Sequence, residues 1–256
     1  MCLILLAWQD NPDVPLVVAA NRDEFFRRPT TGAHWWGTDP DVLAGRDELS
    51  GGTWMGVTAG QRFAAVTNFR QGTPAAGTLS RGDLPKDFLL SDLSAREYCD
   101  AVAARGSEFG GFSLFASDGS ELWWISNRSD TGPSIVQPGI HGLSNALLDT
   151  PWPKVVDGKA EFAEVATADD GSADPEEYLA VLADTTKAPS RSLPSTGVPR
   201  LFEKLLSSRF IRMGSYGTRA STVLRIRADG SIELTERQFG WNGATSTVTH
   251  TIASST

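Results

Sequence analysis

A cysteine at position 2, directly after the initiating methionine, most constrains the chemistry open to this chain. Methionine followed by a small residue is the context in which the initiator is commonly removed, and removal makes Cys2 residue one. A thiol and a free α-amine on one residue form a self-contained pair. The amine, with a reference pKa of about 7.7–8.0, can take the thiol proton near neutral pH without help from a histidine. The alternative is structural, a small apolar residue opening a buried strand. His34, His141 and His250 show neither metal-ligand spacing nor a pairing with a nucleophile, and read as satisfied or surface residues. A carboxylate is the other group such a site needs. Asn21-Arg22-Asp23-Glu24 follows the second of two apolar runs, so cross-strand pairing can return Asp23 toward the N-terminal amine, where it would orient and charge-pair it. Read alone, those four residues make an equally ordinary polar turn with local ion pairs. Arg22, Arg70 and Arg128 can grip a carboxylate or phosphate through paired hydrogen bonds, or serve in surface ion pairs.

The elements that must position these groups are legible as hairpins. Leu3–Trp8 and Val14–Ala20 flank Asp10-Asn11-Pro12-Asp13. Thr53–Thr58 pairs with Arg62–Thr67 across Ala59-Gly60, Phe112–Ala116 with Glu121–Ile125, and Ser221–Arg227 with Ser231–Arg237. Helical patterns cover Leu84–Leu90, Ala95–Ala104, Pro151–Ala166, Pro175–Leu182 and Val198–Leu206. Hairpins alternating with helices predict a layered α+β domain, and no glycine-rich nucleotide loop argues for a parallel sheet. The whole chain, 1–256, is expected to be one domain, with 169–196 a loop-rich surface insertion.

Composition narrows the function classes. A formal charge of −8 without a basic stripe excludes nucleic acid as an expected partner. Twelve Phe and eight Trp supply a large core without disulfide or metal staples. Cys2 and Cys99 form no disulfide framework, Cys99 lies in a helical stretch as a buried thiol, and the expected compartment is reducing, the cytoplasm. The opening apolar run lacks a basic leader and reads as a strand, and no stretch reaches the ~18 apolar residues that span a bilayer. Trp35-Trp36, Trp54, Trp123-Trp124 and Trp152 can line an acyl or porphyrin pocket, although a Trp pair on a strand sends one ring to each face and core packing is the plainer reading.

Seven ordered blocks then resemble a known family. They are Asn21-Arg22-Asp23-Glu24-Phe25, Gly51-Gly52-Thr53-Trp54-Met55-Gly56-Val57, Thr67-Asn68-Phe69-Arg70, Ser80-Arg81-Gly82, Ser126-Asn127-Arg128, Leu143-Ser144-Asn145 with Asp149-Thr150-Pro151-Trp152-Pro153-Lys154, and Tyr216-Gly217-Thr218-Arg219 with Ser221-Thr222-Val223. The chain resembles the NRDE, or transport and Golgi organisation 2, family; the tail after about Trp241 carries no signature. That family is similar to N-terminal cysteine hydrolases such as bile-salt hydrolase and penicillin V acylase, which implies a four-layer αββα sandwich of two mostly antiparallel sheets. The resemblance puts Cys2 on the nucleophile, Asp23 on the catalytic carboxylate, Asn145 on the oxyanion donor and Arg219 on the late active-site arginine, with Arg209 as a rival placing. Asn21, Arg22, Asn68 and Arg70 are the expected substrate contacts. Where those hydrolases carry an arginine just before the asparagine, this chain has Ala20. The implied function is hydrolysis of a non-peptide C–N bond in a small acylated substrate, provided Met1 is removed. The alternative is a non-catalytic carrier of haem, acyl-CoA or lipid. No cofactor is required by the first reading, and haem would be cargo in the second, without a Cys-x-x-Cys-His attachment motif.

Overall fold

The computed structural model describes residues 2–38, 40–72 and 77–253; Met1, on which the nucleophile's processing turns, lies outside them. In chain order the elements are β1 (Cys2–Trp8), β2 (Leu16–Phe25), β3 (Thr30–Trp35), β4 (Val42–Asp47), β5 (Met55–Thr58), β6 (Phe63–Asn68), α1 (Asp83–Leu89), α2 (Ala95–Ala104), β7 (Phe112–Ser117), β8 (Leu122–Ser126), β9 (Ser134–Ile135), β10 (Gly139–Leu143), α3 (Pro153–Ala168), α4 (Pro175–Leu182), α5 (Arg200–Leu205), β11 (Arg212–Met213), β12 (Tyr216–Ile226), β13 (Ile232–Gly240) and β14 (Gly243–Ile252). They divide between two compact units, residues 2–27, 138–144 and 149–253 in the first and 28–137 with 145–148 in the second.

The first unit is an antiparallel sheet in the order β10-β1-β2-β12-β13-β14, with β11 paired to β12. Strict alternation explains how it packs. Leu3, Leu5 and Ala7 of β1, Val17 and Ala19 of β2 and Val223 of β12 share one face and meet Val155 and Phe162 of α3 and Tyr178 and Leu182 of α4. Ile4, Leu6, Val18 and Leu224, on the alternate face, are buried as well, which is why these strands read as unbroken apolar runs. Both helices begin with proline at their first turn, where the missing N–H costs nothing, and Asp174 caps α4 through the Glu176 N–H.

The second unit is an antiparallel meander, β3 through β9 in chain order. Val42, Ala44, Ala64, Val66, Leu114 and Ala116 turn one face toward Leu84 and Phe88 of α1 and Tyr98, Cys99 and Val102 of α2. Ser94 and Glu97 form a reciprocal capping box at the start of α2.

Several expectations are corrected. Asn21-Arg22-Asp23-Glu24 lies inside β2, not in a turn beyond it, because Asn21 and Arg22 pair with both β1 and β12 and Asp23 and Glu24 continue the ladder with β12. Strands β3, β10 and β14 carry no apolar run, and that of β4 is only the three residues Val42-Leu43-Ala44. β14 in particular (GATSTVTHTI) is a polar edge strand held in the sheet by its ladder with β13. The segment 169–196 is not merely surface: Asp169 is buried against Arg225 and Tyr178, and α4 buries Tyr178, Leu179, Val181 and Leu182. Among the described residues, no helix is long and apolar enough to cross a membrane.

Candidate active site

Cys2 opens β1 and stands in register with Arg22 of β2, the last pair of a ladder that starts at Trp8 and Leu16. Its side chain is half-buried. The Asp23 backbone N–H donates to the sulfur, and Ser144 Oγ donates to the Cys2 carbonyl oxygen at 3.0 Å, tying the end of β10 to the same residue. Burial pushes the thiol above its ordinary pKa and the Asp23 charge adds to this, while the N-terminal charge, Arg22 and the Asp23 N–H pull the other way without cancelling it. The thiol is therefore protonated at neutral pH, and a nucleophilic role requires a base.

Asp23 is held from β12. Thr218 Oγ1 donates to Asp23 Oδ1 at 2.7 Å and accepts the Ile211 N–H at 2.9 Å, and the Tyr216 hydroxyl donates to the Asp23 carbonyl at 3.0 Å. The register of β2 with β12 shifts between Thr218 and Ala220, so Arg219 is the extra residue of a bulge. Released from the pleat, its guanidinium donates to the Phe25 carbonyl at 3.0 Å. Burial first, then the neighbouring Arg22 charge, lower its pKa, and Glu24 opposes them. Cys2, Arg22, Asp23 and Arg219 are thus brought to one end of the first sheet.

Arg209 is not. Its guanidinium is paired bidentately with Glu161 at 2.7 and 2.8 Å and with Asp184 at 3.1 Å, and its stem packs beneath Gly158 of α3. Between the two rival placings, Arg219 keeps company with the site and Arg209 joins α3 to the end of α4. Asn21 is likewise committed to the fold. Its Nδ2 donates to the Leu182 and Arg209 carbonyls and its Oδ1 accepts from Ser221 at 2.6 Å, which makes it a clamp between β2, β12 and the end of α4 and not a ligand donor.

In the second unit Asn145 adopts a left-handed backbone, φ 59°, which asparagine tolerates better than most residues. Its conformation is pinned from three sides: Nδ2 donates to the Asn68 carbonyl at 2.8 Å, the Arg70 N–H donates to its carbonyl at 2.7 Å, and Ser113 Oγ donates to the Ala146 carbonyl at 2.8 Å. Asn145 Oδ1 and Thr67 Oγ1 are buried without a hydrogen-bond partner among the described residues. One Nδ2 hydrogen has no acceptor among the described residues. Asn68 and Arg70 thus meet Asn145 through their backbones.

Sequence reasoning missed Thr218 and Ser144, although both lie within the quoted blocks; their hydroxyls were the available signal. Ser113 carried none. Arg128 donates to Gln71 and to the Asn127 carbonyl, and Asn127 braces the turn before β7 by accepting the Phe112 N–H and donating to Gly106, Phe109 and Gly110 carbonyls. His34 bonds the Gly32 carbonyl and His141 pairs with Asp149 at 2.7 Å. No metal-binding cluster occurs among the described residues. Trp123 packs on the helix side of its sheet while Trp124 points to the opposite face; Trp36 packs against the core of the second unit and Trp152 against that of the first.

A profile of the family described as Transport and Golgi organisation 2 matches residues 1–240. The chain is 36% identical over 261 residues to the Transport and Golgi organization protein 2 homolog of Bos taurus, covering 93% of both chains. It is 34% identical over 259 residues to the homolog of Homo sapiens, again covering 93% of both. Among solved structures, the C2A mutant of conjugated bile acid hydrolase from Clostridium perfringens superposes with a TM-score of 0.52 at 9% identity, over 99% of this chain and 92% of that one. A second variant of that hydrolase gives 0.56 at 9% identity, over 98% and 97%. At such identity the likeness concerns the fold, which is α+β and of the N-terminal-nucleophile-hydrolase type, with two antiparallel sheets.

Proposed function

The chain belongs to the Transport and Golgi organisation 2 family, and on that premise we propose that it is an N-terminal cysteine amidohydrolase acting on a non-peptide C–N bond of a small acylated substrate once Met1 is removed. The observation that carries this reading is the setting of Cys2. Its sulfur accepts the Asp23 N–H opposite Arg22, and burial holds its thiol above the ordinary value, so a nucleophilic role needs a base beside it, which removal of Met1 supplies on the same residue. The base is then the residue's own α-amine. The solved hydrolase variant of the same fold replaces a cysteine at the same ordinal position.

In the proposed cycle the Cys2 α-amine takes the thiol proton and the sulfur bonds to the substrate carbonyl carbon. The C–N bond breaks, the leaving nitrogen takes the proton back from the ammonium, and a thioester remains. Water, deprotonated by the same amine, then releases the acid and restores the thiol. Asp23, fixed by Thr218, orients the ammonium. Arg22 and Arg219 receive an anionic group of the substrate.

The test is the intact mass of the untagged protein together with labelling by 2-cyanobenzothiazole, which condenses with a thiol and amine on one residue. Loss of one methionine, labelling, and turnover of acyl amides that Cys2→Ala abolishes are the expected results. A full-length mass with saturable haem or acyl-CoA binding and no turnover overturns the reading in favour of a carrier in the same family.

A further inference from the structure

The first unit contains a cleft of about 180 Å³ outside the Cys2 site, between β11, the β13–β14 turn and the end of β2. Its walls are aromatic. Phe210 and Phe239 meet edge to face at 4.8 Å, Phe26 and Trp241 lie 6.0 Å apart, and Trp241 is 68% exposed at the hairpin tip. The glycine at 217 lets the floor close, since a Cβ there would meet the Ile211 carbonyl oxygen at 2.6 Å and Phe26 at 3.3 Å.

The charge of the cleft has one sign. Arg212 lines it, with its guanidinium 5.4 Å from the centre of the Phe210 ring, and no aspartate or glutamate is among the lining residues. Arg212 makes no ion pair among the described residues, whereas Arg209, Arg225, Arg227 and Arg237 of the same unit each pair with a carboxylate. An unpaired guanidinium over an aromatic wall selects an anion attached to an apolar group. Size limits that group. A dry apolar cavity of about 150 Å³ accommodates a benzene ring, so this one takes an aromatic ring or a chain of about six to eight carbons.

We propose that this cleft binds a small monocarboxylic acid, its apolar group between Phe26, Phe210 and Trp241 and its carboxylate on Arg212. The site is distinct from the amidase reading and does not depend on Cys2. Thr218, which holds Asp23, forms part of its wall, and Trp241 and Gly243 lie beyond the residues matched by the family profile. The tip of the β13–β14 hairpin thus completes the wall of the cleft.

The experiment is displacement of 1-anilinonaphthalene-8-sulfonate by octanoate, octan-1-ol and octylamine, on the full chain and on Cys2→Ser, which removes the nucleophile and not the cleft. One saturable octanoate site is expected in both, with octylamine at least about tenfold weaker. Arg212→Gln should weaken octanoate about threefold to fivefold and leave octan-1-ol unchanged, and Trp241→Ala should weaken both about tenfold. Both side chains are exposed, so the variants are expected to fold, as circular dichroism would verify. Failure of octanoate to displace the dye, equal displacement by octylamine, or indifference to both substitutions overturns the proposal. Failure of the amidase reading alone leaves all of these binding results unchanged.

Discussion

Replacing Thr218 by valine removes one hydroxyl and keeps the β-branched shape, so its effect reports the hydrogen bonds at the heart of the site. Two groups lose their partner. Asp23 Oδ1 forfeits a 2.7 Å donor, and the N–H of Ile211, a fully buried residue, is left unsatisfied. A buried orphan N–H costs about 1–3 kcal/mol and a hydrogen bond to a carboxylate contributes about 1.5–3 kcal/mol. Partial relaxation of Asp23 brings the expected loss to about 3 kcal/mol. For a chain of this length that corresponds to a fall in Tm of about 6–12 °C in differential scanning calorimetry. Thr218→Ser keeps the hydroxyl and forfeits one methyl, about 1 kcal/mol or about 2–4 °C. A valine variant melting within about 2 °C of the wild type, or a serine variant melting as low as the valine one, would refute the assignment of Thr218 as the residue that holds Asp23.

Two further outcomes follow from the thiols and from Asp149. Burial, reinforced by Asp100, pushes Cys99 up to about 12, so a disulfide reagent should modify one thiol of the native protein, and none in Cys2→Ser until denaturant is added. For Asp149, burial raises the carboxyl, but hydrogen bonds from His141, Lys159 and the Gly142 N–H outweigh it and hold the group at about 2. A folded-state pKa below the unfolded value of about 3.9 means stability present above pH 4 and lost as pH falls toward 2. Asp149→Asn should therefore cost about 1 kcal/mol at pH 7, discounted because the side chain is 34% exposed, and nothing near pH 2. The left-handed backbone at this residue, φ 55°, suits asparagine as well as aspartate, so the comparison isolates the charge. Urea melts at the two pH values would check it.

What the sequence determined by itself is local. The hairpins β1–β2, β5–β6, β7–β8 and β12–β13 are legible because each apolar stretch is bounded by turn residues a few positions away, and α2 and α4 coincide with their predicted spans because their caps, Ser94 with Glu97 and Asp174 before Pro175, are written in adjacent residues. The motif blocks similarly named Cys2, Asp23 and Arg219. Only the tertiary structure decided what those residues do to one another. β2 lies beside β12 through pairs nearly two hundred residues apart, Thr218 with Asp23 and Ser221 with Asn21, and no local pattern specifies such a partner. The bulge that frees Arg219 is a register shift between strands, not a property of either strand alone. Arg209 and Arg219 are equivalent as letters and differ only in surroundings: Glu161 of α3 and Asp184 from the loop after α4 reach the first, while Arg22 stands near the second. Asn21 reads as a polar ligand donor until the carbonyls of Leu182 and Arg209 occupy its amide. Side-chain identity sets which hydrogen bonds and charges are available, and long-range strand pairing sets which of them meet.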